Sequence, residues 1–342
     1  MSKVKILVTG GTGYIGSHTV VELINAGFET VIIDDLSNSE QFILDRIEQI
    51  TGVCPTFYNI DLCDKDAVED VFSKEKNIVS VIHFAAYKAV GESISEPLKY
   101  YNNNLLSLIN LLEVMKGKNV NNVVFSSSAT VYGEPDILPI TESAAIKKSL
   151  SAYGSTKQMG EDILEKLSAV SKINSIALRY FNPVGAHETA LIGELPVGIP
   201  NNLMPFVTQT AIGKREVLTV FGDDYATPDG TCIRDYIHVV DLAKAHVKAC
   251  ERLIEGKNTS KYEVFNLGTG KGSSVLEIIE TFKRVTGVNL NYKIGPRREG
   301  DAEQVYADTS LANNKLEWKA KLGLDEMINS AWKWEEQLKE KV

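Results

Sequence analysis

Cysteine is scarce in this chain, and its placement excludes two roles. Four occur in 342 residues, Cys54, Cys63, Cys232 and Cys250, with no CxxC and no spacing that suits zinc. Neither a disulfide framework nor a thiolate metal centre is expected; idle thiols in a reducing cytoplasm are. No apolar run approaches the length that crosses a bilayer. Met1-Ser2-Lys3 leads straight into a strand pattern, so no secretory leader is expected. Positive charge is in deficit, with 36 Lys and Arg against 45 Asp and Glu for a net charge of −9. Such a chain has no overall field for nonspecific binding of nucleic acid or of a membrane surface. An anionic ligand therefore needs a local basic pocket. Internal repeats and low-complexity tracts are also lacking.

What is present begins at residue 4. Residues 4–9 form a β-branched and apolar run that reads as a buried strand. Gly10-Gly11-Thr12-Gly13-Tyr14-Ile15-Gly16 follows, and then an amphipathic helix over 17–26. Strand, glycine loop and helix together are the context in which such glycines cradle a pyrophosphate. Gly10 allows the tight turn, Gly13 lets the backbone approach a phosphate, and Gly16 lets the helix lie close to the sheet. The helix start offers unpaired N–H groups and a positive dipole end. A second apolar strand, 30–33, ends in Asp34-Asp35. A carboxylate there accepts hydrogen bonds from both adenosine ribose hydroxyls and repels a 2′-phosphate, which favours NAD over NADP. Without that context the same glycines would only shape a turn.

Strands at 56–58, 78–83, 122–125 and 175–179 alternate with helices at 41–50, 65–74, 97–116 and 152–168. Repeated βα units imply a Rossmann-type α/β fold, a doubly wound parallel sheet with ligands at the carboxyl ends of its strands. The alternation breaks after Arg179, and a loop-rich stretch runs to about residue 205. Helices at 241–253, 273–286 and 324–338 and a strand at 262–265 follow, the strand returning to the main sheet. The expected division is 1–180 plus about 236–268 for an NAD-binding domain. Residues 181–235 plus about 269–342 would form a smaller, discontinuous α/β substrate lobe.

Tyr153 and Lys157 lie four apart on a predicted helix, so their side chains share a face. An ammonium beside a phenol favours phenolate, which suits a general base at neutral pH. Of thirteen tyrosines, only Tyr153 has Lys four positions later. Ser128 follows the strand at 122–125, where its hydroxyl can meet the same reacting oxygen. Ser126 and Ser127 are expected to serve the turn or the cofactor. A lone Tyr–Lys pair on a surface helix would carry no chemistry; behind a nucleotide-binding half it does.

Gly10-x-x-Gly13-x-x-Gly16, Tyr153-x-x-x-Lys157 and an upstream Ser128 resemble the extended short-chain dehydrogenase/reductases. Longer blocks narrow the resemblance to the UDP-glucose 4-epimerases among them. These are HFAAYKAVGES at 83–93, SSSATVYG at 126–133, RYFNPVGAH at 179–187, NNLMP at 201–205, RDYIHV at 234–239 and PRREGD at 296–301. They run in family order over nearly the whole chain. The resemblance implies that Tyr153 takes the proton of the sugar 4-hydroxyl while the C4 hydride passes to NAD. The 4-keto sugar then turns about its bond to the diphosphate, and hydride returns to the opposite face. Lys157 would lower the tyrosine pKa and bind nicotinamide ribose, and Ser128 would assist at the 4-oxygen. A uridine diphosphate anchored away from the reacting carbon would hold the atoms in range.

The resemblance also implies a cofactor set. Gly10, Gly13, Tyr14, Ile15 and Gly16 belong to the loop, Asp34 would meet the adenosine ribose, and Asn38 would also contact the cofactor. Asp61 would meet adenine and Lys88 a cofactor phosphate, and Leu62, Phe84, Ala85, Asn103 and Phe181 would also contact the cofactor. For the substrate it implies Arg234 and Arg298 on the pyrophosphate, as guanidinium forks suit it. Asp301 would meet the uridine ribose, Phe221 would lie near uracil, and Asn182, Asn202 and Leu203 would contact the substrate. Two departures stand out. Ala86-Tyr87 replaces a Gly-Leu found in many members, and Val305 occupies a sugar-pocket position where Tyr accompanies restriction to plain hexoses. Val305 points to side activity on UDP-N-acetylhexosamines. A homodimer through the helices starting near Pro97 and Ala152 is expected. A nucleotide-sugar 4,6-dehydratase is the nearest enzyme alternative, but Ser128-Ala129-Thr130 offers no acid for elimination. A non-catalytic NAD-sensing regulator is the other, and it would not need Tyr153, Lys157 and Ser128.

Overall fold

The computed structural model describes residues 4–298 and 300–339. Met1, Ser2 and Lys3 of the expected strand lead-in and Glu299 of the 296–301 block lie outside them. The first half is β1 (Lys5–Thr9), α1 (Tyr14–Asn25), β2 (Glu29–Asp34), α2 (Phe42–Thr51), β3 (Thr56–Asn59), α3 (Lys65–Lys74) and β4 (Ile78–His83). It continues with α4 (Val90–Ser95), α5 (Pro97–Gly117), β5 (Asn122–Ser128), α6 (Ala152–Val170) and β6 (Asn174–Tyr180). Next come β7 (Asn182–Val184), α7 (Leu203–Ala211), β8 (Leu218–Phe221), β9 (Ile233–His238), α8 (Val239–Ile254) and β10 (Tyr262–Leu267). The chain ends with β11 (Gly272–Ser274), α9 (Val275–Thr286), β12 (Tyr292–Gly295), β13 (Gln304–Val305), α10 (Ser310–Lys315) and α11 (Leu324–Lys339).

The main sheet has seven parallel strands in the order β10-β6-β5-β4-β1-β2-β3. Its strands read as unbroken apolar runs because both faces are covered. Ile6 and Val8 of β1 join Ile32, Ile82, Val124 and Ile176 in one core that includes residues of α1, α2 and α8. Leu7 joins Val31, Ile33, Val81, Val123 and Ala177 in the other, which includes residues of α3, α5 and α6. Strand order reverses between β1 and β4, and the crevice at that reversal is where such sheets bind ligands.

The predicted strand at 262–265 does return to this sheet, pairing β6 in parallel at its edge. The remaining strands form two small sheets, β11-β9-β13 with β7 on β9, and β12-β8. Their core gathers Met204, Val207, Leu218, Val220, Ile278, Phe282 and Ile328. One stretch departs from the expected division. Ala312, Leu316 and Trp318 pack into the main-sheet core rather than that of the small sheets. Trp318 Nε1 donates to the carbonyl of Asp241 at 2.9 Å, and Arg252 Nη1 to that of Lys315 at 2.8 Å.

Candidate active site

The glycine loop is built as its spacing requires. Gly10 has φ +71°, a backbone that side chains rarely adopt, and its Cβ would stand 2.8 Å from the Ala85 nitrogen. A Cβ on Gly16 would fall 2.0 Å from the Gly10 carbonyl oxygen, so α1 rests directly on the turn. The helix starts at Tyr14, three residues before its amphipathic pattern, with extended Gly13 as an N-cap that has no side chain. Its first N–H groups therefore lack a side-chain cap. Asp34 closes the other side: its carboxylate accepts from Thr12 N at 3.1 Å and Leu36 N at 3.0 Å. Asn38 lies exposed just beyond. Asp61 is exposed at the β3 end with Leu62 buried behind it, and Asn103 of α5 donates to Asn104 Oδ1 at 3.0 Å. Ile15 packs into the core, and the Tyr14 hydroxyl donates to the Gly185 carbonyl at 2.6 Å. Phe84 lies against His246, ring centroids 4.6 Å apart. Lys88 is half exposed, its Nζ 6.0 Å from the Tyr14 ring centroid, beside the start of α1. Tyr87, the departure noted above, packs on Tyr100 and under Lys99 of α5.

Ser128, Tyr153 and Lys157 converge at the carboxyl end of β5. Ser128 is buried as the last residue of that strand; its Oγ accepts from Thr130 N at 3.2 Å, and it lies near enough to the Tyr153 phenol to lower its pKa. Lys157 Nζ stands 5.7 Å from the Tyr153 ring centroid and 5.0 Å from that of Phe125. It donates to the Ser126 carbonyl at 2.6 Å. Here the electrostatics correct an expectation. Burial raises the Tyr153 pKa and outweighs the lowering by Ser128, so the phenol keeps its proton in the cofactor-free site. Burial also lowers Lys157 to about 7, against a raising influence from Glu161.

Ser126 and Ser127 are corrected too. They are strand residues paired with Leu178 and Arg179 of β6, not turn residues. Ser126 Oγ shares a hydrogen bond with the Tyr180 hydroxyl, and Ser127 Oγ donates to Glu161. Glu161, one turn beyond Lys157, pairs with Arg179 through Nε at 2.9 Å and Nη2 at 2.5 Å. Arg179 Nη1 reaches the Tyr132 hydroxyl at 3.0 Å, which donates to Asn266 of β10 at 2.6 Å. This buried network ties β5, α6, β6 and β10 behind the reactive trio.

The opposite wall comes from the small sheets. Asp301 accepts from Arg298 Nη2 at 2.7 Å and from Arg234 Nη2 at 3.5 Å, so all three predicted residues meet. Val305 pairs with Arg234 in register and packs in one cluster with Phe181, Val131 and Ile140. Asn182 begins β7, and half-buried Leu203 begins α7. Asn202 is the N-cap of α7, yet its side chain caps nothing and instead donates to Glu194 at 2.6 Å. Phe221 is 44% exposed at the end of β8.

Among the described residues no group of three or more His, Cys, Asp or Glu could hold a metal ion. The glycine cradle, the uncapped helix start and the Asp34 carboxylate fit a dinucleotide. A family model described as GDP-mannose 4,6 dehydratase matches residues 7–331. The UDP-glucose 4-epimerase of Bacillus subtilis (strain 168) is 53% identical over 331 residues, covering 96% of each chain. The chain belongs to the UDP-glucose 4-epimerase family. A UDP-glucose 4-epimerase from Stenotrophomonas maltophila, solved with NAD and formylated UDP-arabinopyranose, has TM-score 0.96 and 46% identity, covering 99% of this chain and 100% of that one. The Bifidobacterium longum UDP-glucose 4-epimerase, solved with NAD+ and UDP, has TM-score 0.92 and 47% identity over 98% of each. The dehydratase alternative is set aside, since epimerase relatives match along the whole chain and no acid follows Ser128.

Several residues of the site carried no sequence signal. Thr12 and Ser39 flank Asp34, sharing a hydroxyl bond at 2.7 Å. Asp235, inside RDYIHV, is structural. It accepts from Thr269 N at 2.8 Å, Gly270 N at 3.0 Å and Ala307 N at 3.2 Å. Glu194 sits between the two walls and had no motif to mark it.

Proposed function

We propose that this chain epimerises C4 of a UDP-hexose, interconverting UDP-galactose and UDP-glucose, with NAD held in the glycine cradle. The observation that carries this reading is the Ser128–Tyr153–Lys157 trio at the carboxyl end of β5, Ser128 and Lys157 buried and Tyr153 half-buried, together with the Arg234–Asp301–Arg298 cluster, which Val305 links to the core beside Ala129. NAD supplies the chemistry of taking and returning a hydride at C4. The chain's residues do the rest. Tyr153 accepts and returns the 4-hydroxyl proton, Ser128 hydrogen-bonds that oxygen, and Lys157 holds cofactor ribose while biasing the phenol. The two guanidinium forks hold the diphosphate while the hexose turns. Asp34 and Lys88 hold the cofactor at its ribose and phosphate. Residues 1–180 with 236–268 do the cofactor work, and 181–235 with much of the remainder the substrate work.

Incubation with UDP-galactose, no cofactor added, tests this: UDP-glucose should form. Failure even with NAD supplied would move the activity to another nucleotide sugar or to sensing.

The sugar pocket supports a second substrate class. Val305 leaves more room than Tyr beside Phe181 and Ile140. UDP-N-acetylglucosamine should turn over slowly, and Val305→Tyr should remove that turnover while sparing UDP-glucose.

The protein works as a homodimer through α5 and α6. These helices pack on each other and leave Leu98 (80% exposed), Leu106, Ile109 and Met159 facing outward. A monomeric mass by light scattering would refute that. Its setting is the cytoplasm, in keeping with four free cysteines.

A further inference from the structure

Glu194 is a carboxylate that touches both walls of the site. It follows Gly193, which lies so close to Trp334 that a Cβ would come 2.5 Å from the indole Cγ. Trp334 Nε1 donates to the Glu194 carbonyl at 2.8 Å, and Gly193 bridges Ala186. The backbone is therefore clamped by α11 and the chain after β7, and the side chain is presented from a fixed base. That side chain is 11% exposed. Its Oε1 accepts from Asn202 Nδ2 at 2.6 Å and lies 3.6 Å from Lys88 Nζ.

The chemistry of these contacts is asymmetric. A carboxylate only accepts, so it compels the Asn202 amide to present its NH₂ face. Asn202 Oδ1 is then left to accept from elsewhere, and the start of α7 stays without its usual side-chain cap. Lys88 comes from the other wall, beside the start of α1 where a phosphate would lie. A phosphate reaching Lys88 must compete with Glu194, and the two anions repel.

We infer that Glu194 is a positioning residue of this site: it turns the Asn202 amide so that Oδ1 faces the nucleotide sugar, and it competes with the cofactor's phosphates for Lys88. The inference rests on the reading of Lys88 as a cofactor contact and Asn202 as a substrate contact. One clamped acid thereby grades how firmly the cofactor is kept and how the sugar nucleotide is met.

Two substitutions separate the arms in the NAD-loaded protein. Glu194→Gln keeps an oxygen for Asn202 and loses the charge; Glu194→Leu loses both. Both should slow the loss of bound NAD to a charcoal scavenger by about threefold or more. Only Glu194→Leu should raise KM for UDP-galactose, by about fivefold, the scale of one neutral hydrogen bond, with kcat within about twofold. Asn202→Ala should raise KM alike, and adding Glu194→Leu to it should raise KM no further. Unchanged NAD loss in both variants, faster loss in either, or an unchanged KM in Glu194→Leu would overturn the inference. A fall in Tm with activity lost equally in both would also do so, by showing a merely structural role. Wild-type turnover keeps the cases apart: its absence would refute the epimerase reading, whereas its presence without the split would refute only the role of Glu194.

Discussion

At the scale of single residues, burial governs Tyr153 and Lys157 more than their proximity does. Their shared face was legible because four residues make about one helical turn. Their protonation was not, because it depends on Phe125 and the strand carbonyls that surround them. Tyr153→Phe should cut turnover by about 10²-fold or more, the scale of a positioned proton acceptor, while bound NAD measured by absorbance stays unchanged. Lys157 makes a pH-dependent prediction. Its folded value near 7 lies below the ordinary 10.5, so unfolding takes up a proton between those values. The cofactor-free chain therefore gains stability as pH rises through that window and bears the full burial cost below it. Lys157→Met should abolish activity yet raise Tm of the cofactor-free protein at pH 6–7 by roughly 3 °C. That difference should shrink toward pH 10, and thermal scans across pH check it.

At the scale of elements, apolar runs found the first-half strands and helical periodicity every first-half helix but α4, because strands covered on both faces and helices packed on one differ in composition. The ends were misread where hydrogen bonding overrides composition. Ser126, Ser127 and Ser128 look like a turn, yet β5 continues through them because their backbones pair with β6 while Tyr180, Glu161 and the Thr130 amide satisfy their hydroxyls. Breaking that support has a calculable cost. Glu161→Gln leaves Arg179 charged and buried without its partner, which typically costs about 3–5 kcal/mol. Urea unfolding should show the loss, and turnover should fall with it as β5 and α6 loosen. The short strands β7, β8, β11 and β13 were missed for a different reason. They contain two to four residues each and are held by partners distant in sequence, so no local pattern announces them.

At the scale of the whole molecule, the histidines set the acid limit. Burial lowers His18 and His83 to about 3, and His238 and His246 to about 4. They fold neutral and unfold to groups that titrate near 6.5, so the stability they permit is full above that value and drains away as pH falls toward 4. The urea midpoint should drop steeply between pH 6.5 and 4, and a flat profile would refute this. His18 and His187, ring centroids 6.5 Å apart, and His238, bonded to Ser330 of α11 at 3.1 Å, lie where α1 meets β7, β9 and α11. Acid should therefore open that seam first, which hydrogen exchange of α1 would register. The doubly wound half was legible because its order is local; the substrate wall was legible only as resemblance, since Arg234, Arg298 and Asp301 are brought together by crossings that no spacing shows.

The sheet's edge strand β10 and the packing of Trp318 have a consequence for synthesis. A ribosome makes β1 to β6 by residue 180, but β10 arrives only after the small-sheet strands β7, β8 and β9 have emerged. Until then β6 is a bare edge with unpaired backbone groups, the kind of surface that recruits other strands. The layer over it is completed later still, when Ala312, Leu316 and Trp318 emerge. A nascent chain cut short near residue 230 is therefore not a smaller nucleotide-binding unit but an open sheet, and this protein depends on its last third being translated before its first half is safe.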